Sequence, residues 1–181
     1  ILEHLLGDDQ TIPPDRGLFI DETRRMHPDV CRFISEAIYQ GRLSSYEGCA
    51  AQEIRADDGE LTGTGVRWLS VEHATNARSS PEEAERIAAA VETLRGASYT
   101  RANGTTIELP LEEIMVVTPY NAQVRCLTER LPDGVRVGTV DKFQGQQAAI
   151  VFFSMATSSG AGIPRNIEFL FSRNRLNVAG S

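Results

Sequence analysis

Apolar and polar positions follow two rhythms along this chain, and the rhythm assigns the elements. Residues 28–39 place Val30, Phe33, Ile34, Ala37 and Ile38 at helical spacing, with Gly41 following as a helix stop. A second helix opens at Ser80, which reads as an N-cap; Pro81 takes the first helical position and Glu82 and Glu83 fill the first turn. Behind them Ala84, Ile87, Ala88, Val91 and Leu94 form one apolar face. Apolar stretches at 18–20, 66–71, 114–117, 136–140 and 148–153 predict strands, and the unbroken run at 114–117 suits a parallel sheet covered on both faces. A third helix follows that run and extends to about Leu131, whereas residues 44–65 keep no period and read as a surface loop. This order of strand, turn, helix and strand predicts one α/β domain with a mostly parallel sheet.

Composition narrows the classes. The chain has 181 residues, 41% of them hydrophobic, which is enough for one core. No apolar run approaches the roughly 18–20 residues that cross a bilayer and no signal sequence opens the chain, so a cytoplasmic protein without a membrane partner is expected. It starts at Ile1 without a Met and stops after an apolar pattern at Ala179, so it reads as a monomeric piece of a longer protein, with Gly180 and Ser181 as added residues. Cys31, Cys49 and Cys126 form an odd, widely spaced set, and His4, His27 and His73 are scattered, which excludes a disulfide framework and a zinc spacing. A net charge of -7 excludes a global cationic field, so nucleic acid must be held by a local site. Lys142 is the single lysine among 18 basic residues, a bias that reads as the codon usage of a GC-rich genome.

Several segments carry candidate chemistry. Residues 18–22 (LFIDE) resemble a strand ending in metal-binding carboxylates, but the chain has no Gly-Lys dipeptide for the phosphate loop that should accompany them, and two solvated acids are the favoured reading. In TRRMHP, residues 23–28, two guanidinium groups stand at a strand-to-helix junction, where they suit phosphate recognition or simply form a solvated edge. His27 reads as a helix-entry hydrogen-bonding residue. TPYNAQ, residues 118–123, places hydroxyl and amide groups at the carboxyl edge of a sheet, where open parallel sheets bind ligands; a helix start explains it equally well. In VGTVDKFQGQQ, residues 137–147, a polar turn lies between two buried strands, with Gly138 and Gly145 permitting close backbone approach and Thr139, Asp141, Lys142, Gln144 and Gln147 supplying polar groups; function is favoured there over scaffold. NRLNVA, residues 174–179, stops where a helix should grow.

Together and in order, these segments resemble the second RecA-like domain of superfamily 1 helicases, in the branch that includes the RNA-surveillance helicase and the Okazaki-fragment nuclease-helicase. That family carries Tyr-Arg-Met-His-Pro, Thr-Pro-Tyr-x-x-Gln, Val-x-Thr-Val-Asp-x-Phe-Gln-Gly-x-Glu and Arg-Leu-Asn-Val-Ala segments in the same sequence. The likeness extends to bacterial proteins in which such a helicase is joined to a RecB-like nuclease, and a bacterial origin is expected from it. It implies a RecA-like three-layer sandwich of the P-loop NTPase type, acting as the C-terminal motor half of an ATP-dependent DNA helicase.

The implied partners are the first RecA-like domain of the same full-length chain, single-stranded nucleic acid, with DNA ahead of RNA, and ATP with Mg²⁺, the ion being held mainly by the first domain. By position Arg25 looks like the arginine that reaches the γ-phosphate from across the cleft. Arg24 takes the place of an aromatic residue against the adenine, and Gln144, Gly145 and Gln147 look like the turn that meets the nucleotide. Thr118, Pro119, Thr139 and Lys142 look like contacts to the nucleic-acid backbone. Gln147 stands where the family has Glu, and the last motif stops before its second arginine, so this piece alone is expected to hydrolyse no ATP. The rival reading is a degenerate helicase-like domain that serves as a nucleic-acid-binding or protein-interaction scaffold. A dehydrogenase-type nucleotide site would need a Gly-x-Gly-x-x-Gly turn that the chain lacks.

Overall fold

The structure, a computed structural model, describes residues 13, 16–57 and 59–158, and the NRLNVA segment lies outside these. Among the described residues its centre is a sheet of three parallel strands, β6 (Ile114–Thr118), β7 (Arg136–Thr139) and β8 (Ile150–Phe153), in the order β7-β6-β8. The α/β architecture with a parallel central sheet is the one that the apolar runs predict.

The run at β6 is apolar throughout because both faces of the strand are covered. Ile114 and Val116 pack with Ile87, Val91 and Leu94 of the second helical segment and with Leu127. Met115 and Val117 face the other way, onto Val140, Phe143 and Phe153. All five residues of β6 are buried. The helix α3 (Asn121–Thr128), which joins β6 to β7, therefore lies on one face, and the 3-10 turn Val140–Phe143, which begins the return from β7 to β8, lies on the other. Helix α3 is shorter than expected, ending at Thr128 with Glu129 as its C-cap.

Helix α2 (Pro81–Thr93) begins where its sequence directs: Ser80 Oγ accepts from the Glu83 amide, and Pro81 stands in the first turn. Glu82 is held below the usual carboxylate range chiefly by its own backbone N–H, then by Asn76 and Ser80. Its buried face is Glu83, Ala84, Ile87, Ala90 and Val91, continued by Leu94, so Ala90 replaces the expected Ala88. Burying the Ile87, Val91 and Leu94 side chains contributes about 1.5–3 kcal/mol each.

Helix α1 (Pro28–Ile38) is also present as expected, but it is rotated from the expected face. Cys31, Ile34, Ser35 and Ile38 point inward and Phe33 is 42% exposed. The physical reason is polar. Ser35 Oγ accepts from the Leu43 amide at 3.0 Å, tying α1 to the chain entering β2 (Ser44–Ser45), which pairs in parallel with β1 (Glu22–Thr23). Hydrophobicity alone put Phe33 in the core, while a serine with a backbone partner took the inward place.

Three expectations are corrected. Residues 18–20 form no strand, and Leu18 and Ile20 are 96% and 80% exposed. Residues 66–71 are likewise irregular, with Trp68 exposed. An apolar pattern supplies a face, but a strand also needs a neighbour for its amides and carbonyls, and neither run pairs with a described strand. The aperiodic stretch 44–65 contains β2, the 3-10 turn Glu47–Ala51 and β3 (Glu53–Arg55). β3 joins the hairpin of β4 (Ser98–Thr100) and β5 (Thr106–Glu108) in a small antiparallel sheet that no periodicity announced.

Candidate functional site

The chain leaves the carboxyl end of β6 toward one face of the sheet and leaves the carboxyl end of the adjacent β7 toward the other, the kind of strand-end switch at which open α/β sheets bind ligands. Thr118 and Thr139, the last residues of the two strands, are register partners there. The fold thus brings together two hydroxyls that stand 21 positions apart in the sequence. Thr139 is half-buried and Pro119 half-buried, whereas Thr118 is fully enclosed and its Oγ1 has no hydrogen-bond partner. Lys142 is exposed, and its Nζ donates to the Val137 carbonyl at 3.2 Å, covering the outer edge of β7.

After the 3-10 turn the chain must travel back along β7 before β8 can run parallel to it. Gln144, with φ -54° and ψ 123°, Gly145, with φ 79°, and the Gln146 N–H to Phe143 carbonyl bond at 2.9 Å make a type II turn. Gly145 is required by that positive φ, and no atom lies within 4 Å of where its Cβ would be, so the turn's backbone is open to approach. Gly138 has a different reason: a Cβ there would meet Phe143 ring carbons at 2.9 and 3.1 Å. Residues 144–147 are all exposed, but they are gathered at the far end of β7 from Thr139, where Arg136 bonds the Gln146 side chain and the Gln147 carbonyl. The turn and the Thr118 and Thr139 pair therefore stand at opposite ends of one strand.

The two arginines of TRRMHP differ in state. Arg24 pairs with Glu22 at 3.2 Å and lies over the Tyr46 ring, 4.7 Å from its centroid. Arg25 is exposed; its backbone is held by Thr23 Oγ1 and Gln52 Nε2, while no carboxylate among the described residues pairs with its guanidinium. The rest of the motif positions it. Met26 is buried against α1, and His27 Nδ1 accepts from the Asp29 amide as the N-cap, the helix-entry role expected of it. A fixed backbone therefore presents a cation that no carboxylate among the described residues neutralises.

One constellation was missed at the sequence level. Gln123, fully buried, accepts from the Ser80 amide at 2.7 Å and donates to the Ser80 carbonyl at 3.2 Å and to Ser154 Oγ at 2.9 Å. Ser154 donates to Glu83 at 2.6 Å, and the Ala156 amide also reaches the Glu83 carboxylate. His73 bridges Glu83 at 3.0 Å and Ser158 at 2.6 Å. The order Ser158, His73, Glu83 imitates a hydrolytic triad, but Ser158 Oγ already accepts from the Asn76 amide and the carboxylate is occupied by Ser154 and Ala156. The network is a latch that fixes the loop leaving β8 to the start of α2 and to α3. The Gln at the end of TPYNAQ was its one visible signal.

Among the described residues no group of three or more His, Cys, Asp or Glu side chains is placed to hold a metal ion, and no helix is long and apolar enough to cross a membrane. A family model described as an AAA domain matches residues 2–181. The chain is 27% identical over 182 residues to the DNA polymerase alpha-associated DNA helicase A of Schizosaccharomyces pombe, an alignment that covers 89% of this chain and 26% of that protein. It is 30% identical over 168 residues to Helicase sen1 of the same yeast, covering 86% of this chain and 9% of the relative. The DNA-binding protein SMUBP-2 of Rattus norvegicus is 26% identical over 172 residues, covering 86% and 16%. The chain thus spans 26% or less of the length of these relatives. All three are eukaryotic and give no support to the bacterial origin expected from the sequence.

Proposed function

Because the chain belongs to the AAA domain family and is homologous to helicases of superfamily 1, we propose that it is the second, C-terminal motor domain of an ATP-dependent DNA helicase. In this role it supplies the trans side of the ATP site and part of the single-strand track, while the first RecA-like domain of the full-length protein supplies the phosphate cradle and most of the Mg²⁺ ligands. DNA is preferred over RNA because two of the relatives are named for DNA.

The observation that carries this reading is Arg25, an exposed arginine without a carboxylate partner among the described residues, on a junction fixed by the His27 cap and the Met26 anchor. A guanidinium stays charged at every working pH and donates in a planar fork, so it can stabilise charge developing on a transferring phosphoryl group. ATP would supply the phosphoanhydride whose cleavage drives movement. Arg24, stacked on Tyr46, offers a flat cationic surface for the base, and Gln144, Gly145 and Gln147 offer an open backbone to the sugar and phosphates. Thr139 and Pro119 stand at the carboxyl edge available to a strand backbone, with Lys142 exposed in the turn that follows β7 and the Thr118 hydroxyl enclosed beneath them.

In the full-length protein Arg25→Ala is expected to lower kcat for ATP hydrolysis by about a thousandfold or more, with single-strand affinity within about twofold of wild type. Steady-state ATPase assays and fluorescence anisotropy on a labelled oligonucleotide read the two quantities. Wild-type turnover in the variant would remove the role given to Arg25.

A further inference from the structure

Arg136 is the first residue of β7, and its side chain runs to the turn that returns from that strand's other end. Nη1 donates to Gln146 Oε1 at 3.2 Å and Nη2 donates to the Gln147 carbonyl at 2.7 Å. Its Nε is buried and has no hydrogen-bond partner. Gln146 is the middle of the arrangement: its amide closes the type II turn onto the Phe143 carbonyl, its side-chain nitrogen donates to the Lys142 carbonyl at 3.2 Å, and its side-chain oxygen takes Arg136. Residues 144–147 are exposed, and no apolar side chain of their own anchors them. The Gln146 and Gln147 end of this exposed turn is thus fixed by a forked cation, a geometry that a lysine cannot reproduce.

We infer that Arg136 is a positioning residue for nucleotide binding, holding the Gln144 to Gln147 backbone in the shape that meets the sugar and phosphates without itself touching them. This rests on the role proposed above for that turn. An ordered turn loses less conformational freedom when a ligand lands on it, so loosening the clamp should weaken nucleotide binding while sparing the chemical step. Two charge-assisted bonds at a partly exposed site correspond to about a fivefold to tenfold change in binding.

The test uses the full-length protein with three variants: Arg136→Ala, Arg136→Lys and Gly145→Val. Expected for Arg136→Ala is a KM for ATP raised about fivefold to tenfold, with kcat within about twofold, single-strand affinity unchanged and melting temperature unchanged. Arg136→Lys, which also serves if the alanine variant does not fold, should retain most of this defect because charge alone does not restore the fork. Gly145→Val reports on the turn independently and should raise the KM as well. A wild-type KM in both Arg136 variants together with a raised KM in Gly145→Val overturns the inference and leaves the nucleotide role of the turn standing. If all three variants keep a wild-type KM, that role falls and the inference with it. Parallel losses of kcat, strand affinity and melting temperature in Arg136→Lys assign Arg136 to the general scaffold and also overturn it.

Discussion

Glycines and arginines of this chain show how one residue type answers to different constraints. Gly145 is dictated by a backbone angle, Gly138 by the ring packed above it. In Gly138→Ala the Lys142 side chain can swing aside, but the Phe143 ring is buried at 4% exposure and cannot do so without opening the contact with Met115 and Val117. A cost of about 1–3 kcal/mol is expected, measured by urea denaturation followed by circular dichroism. An unchanged midpoint would mean that the ring has room to yield. Sequence singled out both glycines but could not separate their reasons, since each depends on a partner fixed only in three dimensions. It likewise paired Arg24 with Arg25; the fold distinguishes them by giving Arg24 a carboxylate and an aromatic ring and giving Arg25 neither.

Among the elements, legibility followed burial. β6 and α2 were plain in the sequence because a run covered on both faces and a capped amphipathic helix carry their own signals. The runs at 18–20 and 66–71 misled because strand formation also needs a neighbour, which no local pattern encodes. The small sheet β3-β4-β5 was invisible because its strands are three residues each, too short for alternation to register. The latch was invisible for a further reason: it joins α2, α3 and the loop leaving β8 through polar side chains that any one segment presents singly. Its worth can be read at Gln123. Gln123→Ala leaves the buried Ser80 amide without its acceptor, while the Ser80 carbonyl keeps the Ala84 amide and Ser154 keeps Glu83, and a loss of about 1–3 kcal/mol is expected in the same denaturation assay. A loss below about 0.5 kcal/mol would show that water or a neighbouring group replaces the amide.

At the scale of the whole molecule, the parallel sheet separates the two tasks proposed for it. Its carboxyl edge holds the paired strand ends Thr118 and Thr139, the return turn at 144–147 sits by the opposite end of β7, and Arg25 projects from the β1 to α1 junction. A domain that works as half of a clamp needs such division, because one ligand is gripped across a domain boundary while another passes over the strand ends. The acidic total of -7 fits this arrangement, since each anionic ligand meets a few placed groups rather than a general field. The central claim is that Arg25 closes on the terminal phosphate of ATP held by the preceding motor half. It is tested most directly by photolabelling the full-length protein with an ATP analogue carrying a photoreactive group on the γ-phosphate, then mapping the adducts by mass spectrometry. Labelling of the peptide containing Arg25, suppressed by excess ATP, is the predicted result; labelling confined to segments outside this chain would contradict it.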